Sequence, residues 1–97
     1  MEARIENFSS WITYSTDASH KEEIEALLKR SGFTILNFVE HKFEPQGYTS
    51  LWLLAESHCA LHTFPEEGQA YVELSSCNIQ MFVDFVSSFH KKYHAIK

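Results

Sequence analysis

The chain has 97 residues, 44% hydrophobic and 22% charged, with eight Lys+Arg against thirteen Asp+Glu for a net charge of -5. This is ordinary globular composition with room for one core; it excludes a disordered or collagen-like chain and gives no basic footprint for nucleic acid or anionic lipid. No apolar run approaches the roughly 20 residues of a membrane span, Met1–Arg4 opens no secretory h-region, and two cysteines, Cys59 and Cys77, are too few for a disulfide framework, so a small acidic cytoplasmic domain with free thiols is expected.

Phe8 to Ser15, with its β-branched and aromatic residues, is predicted as a strand. Ser19 and Glu22 have capping-box spacing, and Ile24, Leu27 and Leu28 recur at helical period. Glu25 and Lys29 form an i,i+4 pair and Gly32 stands where a helix C-terminal glycine belongs, so a helix is predicted over 21–31. Phe33 to Phe43 is rich in β-formers. Glu44-Pro45-Gln46-Gly47 is a turn by composition, because Pro presets one φ and Gly permits another. Tyr48 to Ala55 returns as a strand whose Leu51–Ala55 run is apolar on both faces, which predicts a central place in a sheet. Cys59 to Phe64 is extended, Pro65-Glu66-Glu67-Gly68 turns the chain, and Gln69 to Leu74 alternates as an edge-like strand. Ile79, Phe82, Val83, Val86, Phe89 and Tyr93 then form the wide apolar stripe of an amphipathic helix.

The order β-α-β-β-β-β-α, mostly hairpin-connected, predicts an α/β (α+β) fold: a two-layer sandwich with a mostly antiparallel four- to five-stranded sheet and two helices on one face. The other sheet face needs a cover, and a chain this short buries too little surface to dispense with one readily; a second subunit is the expected cover.

Polar, reactive side chains concentrate between residues 41 and 77. Glu56-Ser57-His58 follows the most apolar strand, His62 lies five residues past Ser57, and Cys77 lies twenty past it. A serine at the end of a buried strand, with a histidine and a thiol nearby, could be a nucleophile with its base. The plainer reading, in which Ser57 opens a turn and His62 is a hydrogen-bonded strand residue, stays open on residue types alone. His58, Cys59, His62 and Cys77 are metal-ligand types, but the His58/His62 spacing has no C-x2-C partner and no metal is expected. His20, His90 and His94 are expected on helix surfaces, and Cys59 as a small buried hydrophobe.

The motifs His41-Lys42-Phe43-Glu44-Pro45-Gln46-Gly47, Leu53-Leu54-Ala55-Glu56-Ser57-His58, Leu61-His62-Thr63-Phe64-Pro65-Glu66 and Ser76-Cys77 closely resemble the bacterial and archaeal S-adenosylmethionine decarboxylase proenzyme family, with the spacing between them intact. The resemblance implies a single self-cleaving domain over 1–97. Ser57 Oγ would attack the carbonyl of Glu56 and turn the amide into an ester. β-Elimination would then split the chain into 1–56 and 57–97, and the dehydroalanine left on residue 57 would hydrolyse to a pyruvoyl group with loss of ammonia.

The remaining roles are implied in the same way. His62 matches the family position that removes a proton during elimination; it would have to return to Ser57 through a bend, since a straight strand places it roughly 17 Å away. Thr49, at a family Ser/Thr position, would hydrogen-bond the intermediate or serve simply as a β-branched strand residue. The pyruvoyl carbonyl would form a Schiff base with the substrate amine and accept electrons as CO2 leaves, and Cys77 matches the proton donor that follows. Phe43 matches the aromatic that stacks on adenine and Glu66 the carboxylate that takes the ribose hydroxyls; a core side chain and a solvated turn residue are their plainer readings. This set explains His62 and Cys77 without metal. It implies S-adenosylmethionine as substrate, the aminopropyl donor for spermidine as product, and a homodimer with two sites, each near the subunit interface.

Four departures stand against the match. The first strand lacks the Gly-x-His opening and ends in Ser15-Thr16-Asp17 where the family has Gly-Cys. Phe64 replaces a tryptophan, Asn78 replaces the glycine after the cysteine, and the chain ends about a helix early. They keep two alternatives in play: the same pyruvoyl chemistry on ornithine or arginine, and a non-cleaving, non-enzymatic relative. Phe43 and Glu66 favour a nucleoside substrate over a linear amino acid, and joint retention of Glu56, Ser57, His62 and Cys77 favours an enzyme.

Overall fold

A computed structural model describes residues 4–97. Residues 1–3, most of the segment expected to lack a secretory h-region, lie outside the described residues. The elements are β1 (Glu6–Thr13), α1 (His20–Arg30), β2 (Ile35–Lys42), β3 (Tyr48–Leu54), β4 (Ser57–Phe64), a 3-10 turn (Pro65–Glu67), β5 (Gln69–Ser76) and α2 (Ile79–Lys92). The strands form one sheet in the order β1-β5-β4-β3-β2 with every neighbouring pair antiparallel, so the expected two-layer sandwich is present with five strands. No helix among the described residues is long and apolar enough to cross a membrane.

Strand alternation divides the sheet into two unlike faces. Ile12, Trp52, Leu54, Cys59, Leu61, Ala70, Val72 and Leu74 point to the helices and are buried with Ile24, Leu27, Leu28, Phe85 and Phe89. Among the described residues the opposite face has no second layer: Leu51, Leu53 and Val39 remain 45%, 53% and 56% exposed. Leu51-Trp52-Leu53-Leu54 therefore marks an inner strand whose two faces differ in cover. β5 is also an inner strand, between β1 and β4, and not the edge strand its alternation suggested. Inner antiparallel strands alternate too when only one sheet face is packed. β4 begins at Ser57, earlier than the predicted Cys59, because Ser57 still pairs with Leu54 on one side and Ser76 on the other.

The start of α1 departs from expectation. The Ser19 side chain makes no capping hydrogen bond, and His20, expected on the surface, is buried. Its ring packs near Tyr14 and Tyr93, and its Nε2 accepts a hydrogen bond from the backbone N–H of Ser15 at 3.1 Å. The ring thus takes over the end of the loop that a serine cap was expected to organise. At the other end Gly32 adopts φ 98, the left-handed conformation that favours glycine. The Glu25–Lys29 pair forms at 3.5 Å, and Glu25 also accepts the indole N–H of the fully buried Trp52 at 3.0 Å, tying α1 to the sheet. α2 is capped by Asn78, whose side chain accepts from the N–H of Met81 at 3.0 Å, and it docks through Phe85 and Phe89 edge-on to Phe8. Tyr93 donates to Glu23 and joins the ends of the two helices.

Burial lowers the His20 pKa below its usual 6.5, against a smaller opposing pull from Glu23. Protonation would also set a second N–H against that of Ser15. The unfolded chain then takes up the proton first, so His20 contributes its full stability above about pH 6.5 and loses it as the pH falls below that value. Urea unfolding near pH 7 and about pH 5.5 should show a larger loss for the wild-type chain than for His20→Gln. Equal losses in the two proteins would remove His20 from the acid limb.

Candidate active site

The predicted site residues divide between the two ends of the central strand β4. At its start, Ala55 and Glu56 make the two-residue turn from β3, and Glu56 has φ 58. A side-chain-bearing residue in the left-handed region costs roughly 1–2 kcal/mol. The strained residue supplies the carbonyl of the Glu56–Ser57 peptide bond. Cys77, half-buried just past β5, donates its thiol to that carbonyl oxygen at 3.2 Å. Ser57 is buried and its hydroxyl donates to Ser76 Oγ at 2.8 Å, directly across the β4–β5 ladder. Ser76 is 1% exposed and its Oγ also accepts the backbone N–H of Asn78 at 2.9 Å. A cleft of about 420 Å3 opens beside these groups, lined by Leu36, Leu53, Glu56, Ser57, Ser76 and Cys77 among others.

At the far end of β4, Thr49 Oγ1 lies 2.9 Å from His62 Nδ1, a pairing set by their direct opposition in the β3–β4 register. The His62 ring stacks on Tyr71 at 6.2 Å, on the uncovered face. Phe43, 49% exposed, stands on the β2–β3 turn near His41, and Glu66 is exposed on the 3-10 turn between β4 and β5. In the β2–β3 turn the Glu44–Pro45 peptide is cis and Gly47 has φ 108 beneath the Phe43 side chain, where a Cβ would stand 3.6 Å from Phe43 Cβ.

The bend expected to return His62 to Ser57 is absent. β4 is paired without interruption on both sides from Ser57 to Thr63, and a doubly hydrogen-bonded strand has no freedom to fold back. The five-residue separation is about 17 Å, and its odd parity puts the two side chains on opposite sheet faces. One chain therefore presents two separate groups: Glu56, Ser57 and Cys77 at one end, and Phe43, Thr49, His62 and Glu66 at the other.

Cys59 is 1% exposed as expected, and burial pushes its thiol pKa well up, so it stays protonated and buried in the core. Among the described residues no three His, Cys, Asp or Glu side chains converge as metal ligands. Ser76 had no role in the sequence reading; a pair of hydroxyls facing each other from Ser57 and Ser76 becomes apparent only once the β4–β5 register is known.

The family model described as S-adenosylmethionine decarboxylase matches residues 15–96. An S-adenosylmethionine decarboxylase proenzyme of Prochlorococcus marinus (strain MIT 9313) is 48% identical over 64 residues, covering 66% of this chain and 51% of the relative. Another, from Prochlorococcus marinus (strain MIT 9211), is 40% identical over 86 residues, covering 84% and 70%. An archaeal one, from Methanococcus vannielii, is 44% identical over 50 residues, covering 52% and 41%. The first of these relatives and its Synechococcus counterpart show the general proportion: the chain spans about half the length of the curated relatives it matches. The crystal structure of the adenosylmethionine decarboxylase from Aquifex aeolicus shares the fold with a TM-score of 0.68 at 22% identity, over 89% of this chain and 79% of that one.

The strain at Glu56 is measurable. Glu56→Gly, made in a chain that also carries Ser57→Ala so that the 56–57 bond stays intact, should be about 1 kcal/mol more stable to urea than Ser57→Ala alone. A loss of stability instead would mean that the left-handed turn is not strained.

Proposed function

This chain belongs to the S-adenosylmethionine decarboxylase family, and we propose that it is a self-processing, pyruvoyl-dependent decarboxylase of S-adenosylmethionine that works as a homodimer. The observation that carries the reading is the Glu56–Ser57 peptide bond itself, held in a left-handed turn with its carbonyl on a thiol and the following hydroxyl buried and anchored. Such an arrangement suits an intramolecular acyl shift. Left-handed strain raises the ground state, the Cys77 thiol polarises the carbonyl and supports the negative charge that develops on its oxygen, and Ser57 Oγ needs no diffusion to reach it. Elimination at Ser57 Cα then divides the chain into 1–56 and 57–97.

The residues at this end fit a pyruvoyl group, because the precursor serine opens a new chain beside a cleft and within reach of Cys77. Once formed, that group supplies an electron-accepting carbonyl that holds the substrate amine while CO2 departs. Cys77, released from the Glu56 carbonyl by cleavage, is the proton donor to the substrate carbon. Phe43 offers an exposed aromatic face to adenine and to the sulfonium charge, and Glu66 offers two oxygens to a ribose diol. The product is the aminopropyl donor used in spermidine biosynthesis. Two unpaired thiols suit a reducing compartment, here the cytoplasm.

The separation of the two groups supports the dimer. An exposed apolar face bearing Val39, Leu51 and Leu53 invites a partner, and a two-fold pairing of such faces is the same patch on both copies. With the strands of the copies running in opposed senses, the Thr49–His62 end of one lies over the Glu56–Cys77 end of the other, which supplies His62 as the processing base and Thr49 as its hydrogen-bonding companion at two composite sites.

Denaturing intact-mass measurement of the purified protein tests the reading first. Two fragments are expected, the smaller beginning at residue 57 with a carbonyl in place of its amine, whereas Ser57→Ala stays whole. A wild-type chain that stays whole after prolonged incubation would leave the non-cleaving relative as the correct description. Cys77→Ala should cleave at least about 10-fold more slowly, since one donor to the developing oxyanion is lost. Leu51→Glu, which buries a charge in the proposed interface, should convert the dimer to a monomer in sedimentation; a dimer unmoved by it would place the interface elsewhere.

A further inference from the structure

We propose that Ser76 is a positioning residue for self-processing: it fixes the Ser57 hydroxyl so that an oxygen lone pair, and not the proton, faces the Glu56 carbonyl. The proposal rests on the reading of Ser57 as the pyruvoyl precursor. Ser57 Oγ donates its only proton to Ser76 Oγ at 2.8 Å, which leaves both of its lone pairs outside that bond. Ser76 is 1% exposed, so no water competes for its oxygen. Its own orientation is set in turn. Its oxygen accepts the Asn78 N–H at 2.9 Å, and its proton is directed to the Asn78 carbonyl at 3.4 Å. Asn78 caps α2, so the nucleophile's direction is tied through one buried hydroxyl to the end of a packed helix.

The step this serves is an isomerisation and needs no co-reactant. Ser57 Oγ forms a bond to the Glu56 carbonyl carbon, the bond from that carbon to Ser57 nitrogen breaks, and the Oγ proton ends on the nitrogen, which becomes an amine. Ser76 receives no net proton. Its contribution is orientation, and small misplacement of a reacting atom can cost about 100-fold in rate.

The plain alternative is that Ser76 only braces the loop into α2. Three variants separate the two roles, with cleavage followed by intact mass and folding by thermal melting. Ser76→Ala should slow cleavage about 10- to 100-fold. Hydroxylamine, which cuts esters and not amides, should leave that chain whole, because the block precedes the ester. Tyr93→Phe, which removes the hydroxyl that joins the other end of α2 to α1, far from Ser76, should lower the melting temperature while cleaving at the wild-type rate. Ser76→Thr, which restores the hydroxyl, should restore cleavage. Should Ser76→Ala fail to fold, Ser76→Cys keeps the volume with a poorer acceptor and should melt normally yet cleave slowly. Ser76→Ala or Ser76→Cys cleaving at the wild-type rate would overturn the role of Ser76 alone, and so would hydroxylamine-sensitive ester building up in Ser76→Ala. A wild-type chain that never cleaves would overturn the reading of Ser57 and with it this proposal.

Discussion

The pairing of β4 on both sides governs the rest of the molecule. Because Ser57 is already in the ladder, opposite Leu54 and Ser76, the chain has only Ala55 and Glu56 in which to turn from β3 into β4. That short turn forces Glu56 into the left-handed region and aims its carbonyl at the loop that leaves β5, where Cys77 receives it. A longer turn would relax the backbone and lose the contact. Strain, thiol contact and buried hydroxyl are thus consequences of one register, and they converge on one peptide bond.

The same straight ladder keeps the other polar group away. His62 cannot approach Ser57 in its own chain, and Thr49 faces it across the neighbouring strand instead. A site that needs both groups is then incomplete in a single copy, and the bare, apolar sheet face is the surface through which a second copy could complete it. Stability and chemistry would share one interface: the face that lacks a cover is the face that carries His62 and Tyr71.

Several local departures have a common origin in packing. His20 displaces the expected serine cap because its ring has Tyr14 and Tyr93 to lie between, and burial then makes it a group that resists protonation. Asn78, a departure from the family glycine, serves as the cap of α2 and holds the backbone that contacts Ser76. Phe64, a departure from the family tryptophan, packs against Trp11 on the open face at 5.6 Å between ring centres. Each of these residues has a structural use in this chain, and none of the departures replaces Glu56, Ser57, His62 or Cys77.

The sequence by itself determined the element order and the two-layer architecture, and the family resemblance of its motifs named Glu56, Ser57, His62 and Cys77 as candidates. Periodicity is local and survives in the final fold, so α1, α2 and the four hairpin-connected strands were legible, whereas residue types alone left Glu56-Ser57 and His62 open between a turn with a strand histidine and a nucleophile with its base. Tertiary structure decided what periodicity cannot encode. Alternation reports a half-packed strand whether it lies inside a sheet or at its edge, so only strand order made β5 an inner strand. A capping box and a buried histidine compete for the same loop, and only packing chose His20. The facing of Ser57 and Ser76 and the separation of Ser57 from His62 depend on register, the one quantity that a sheet sets between strands and no single strand contains.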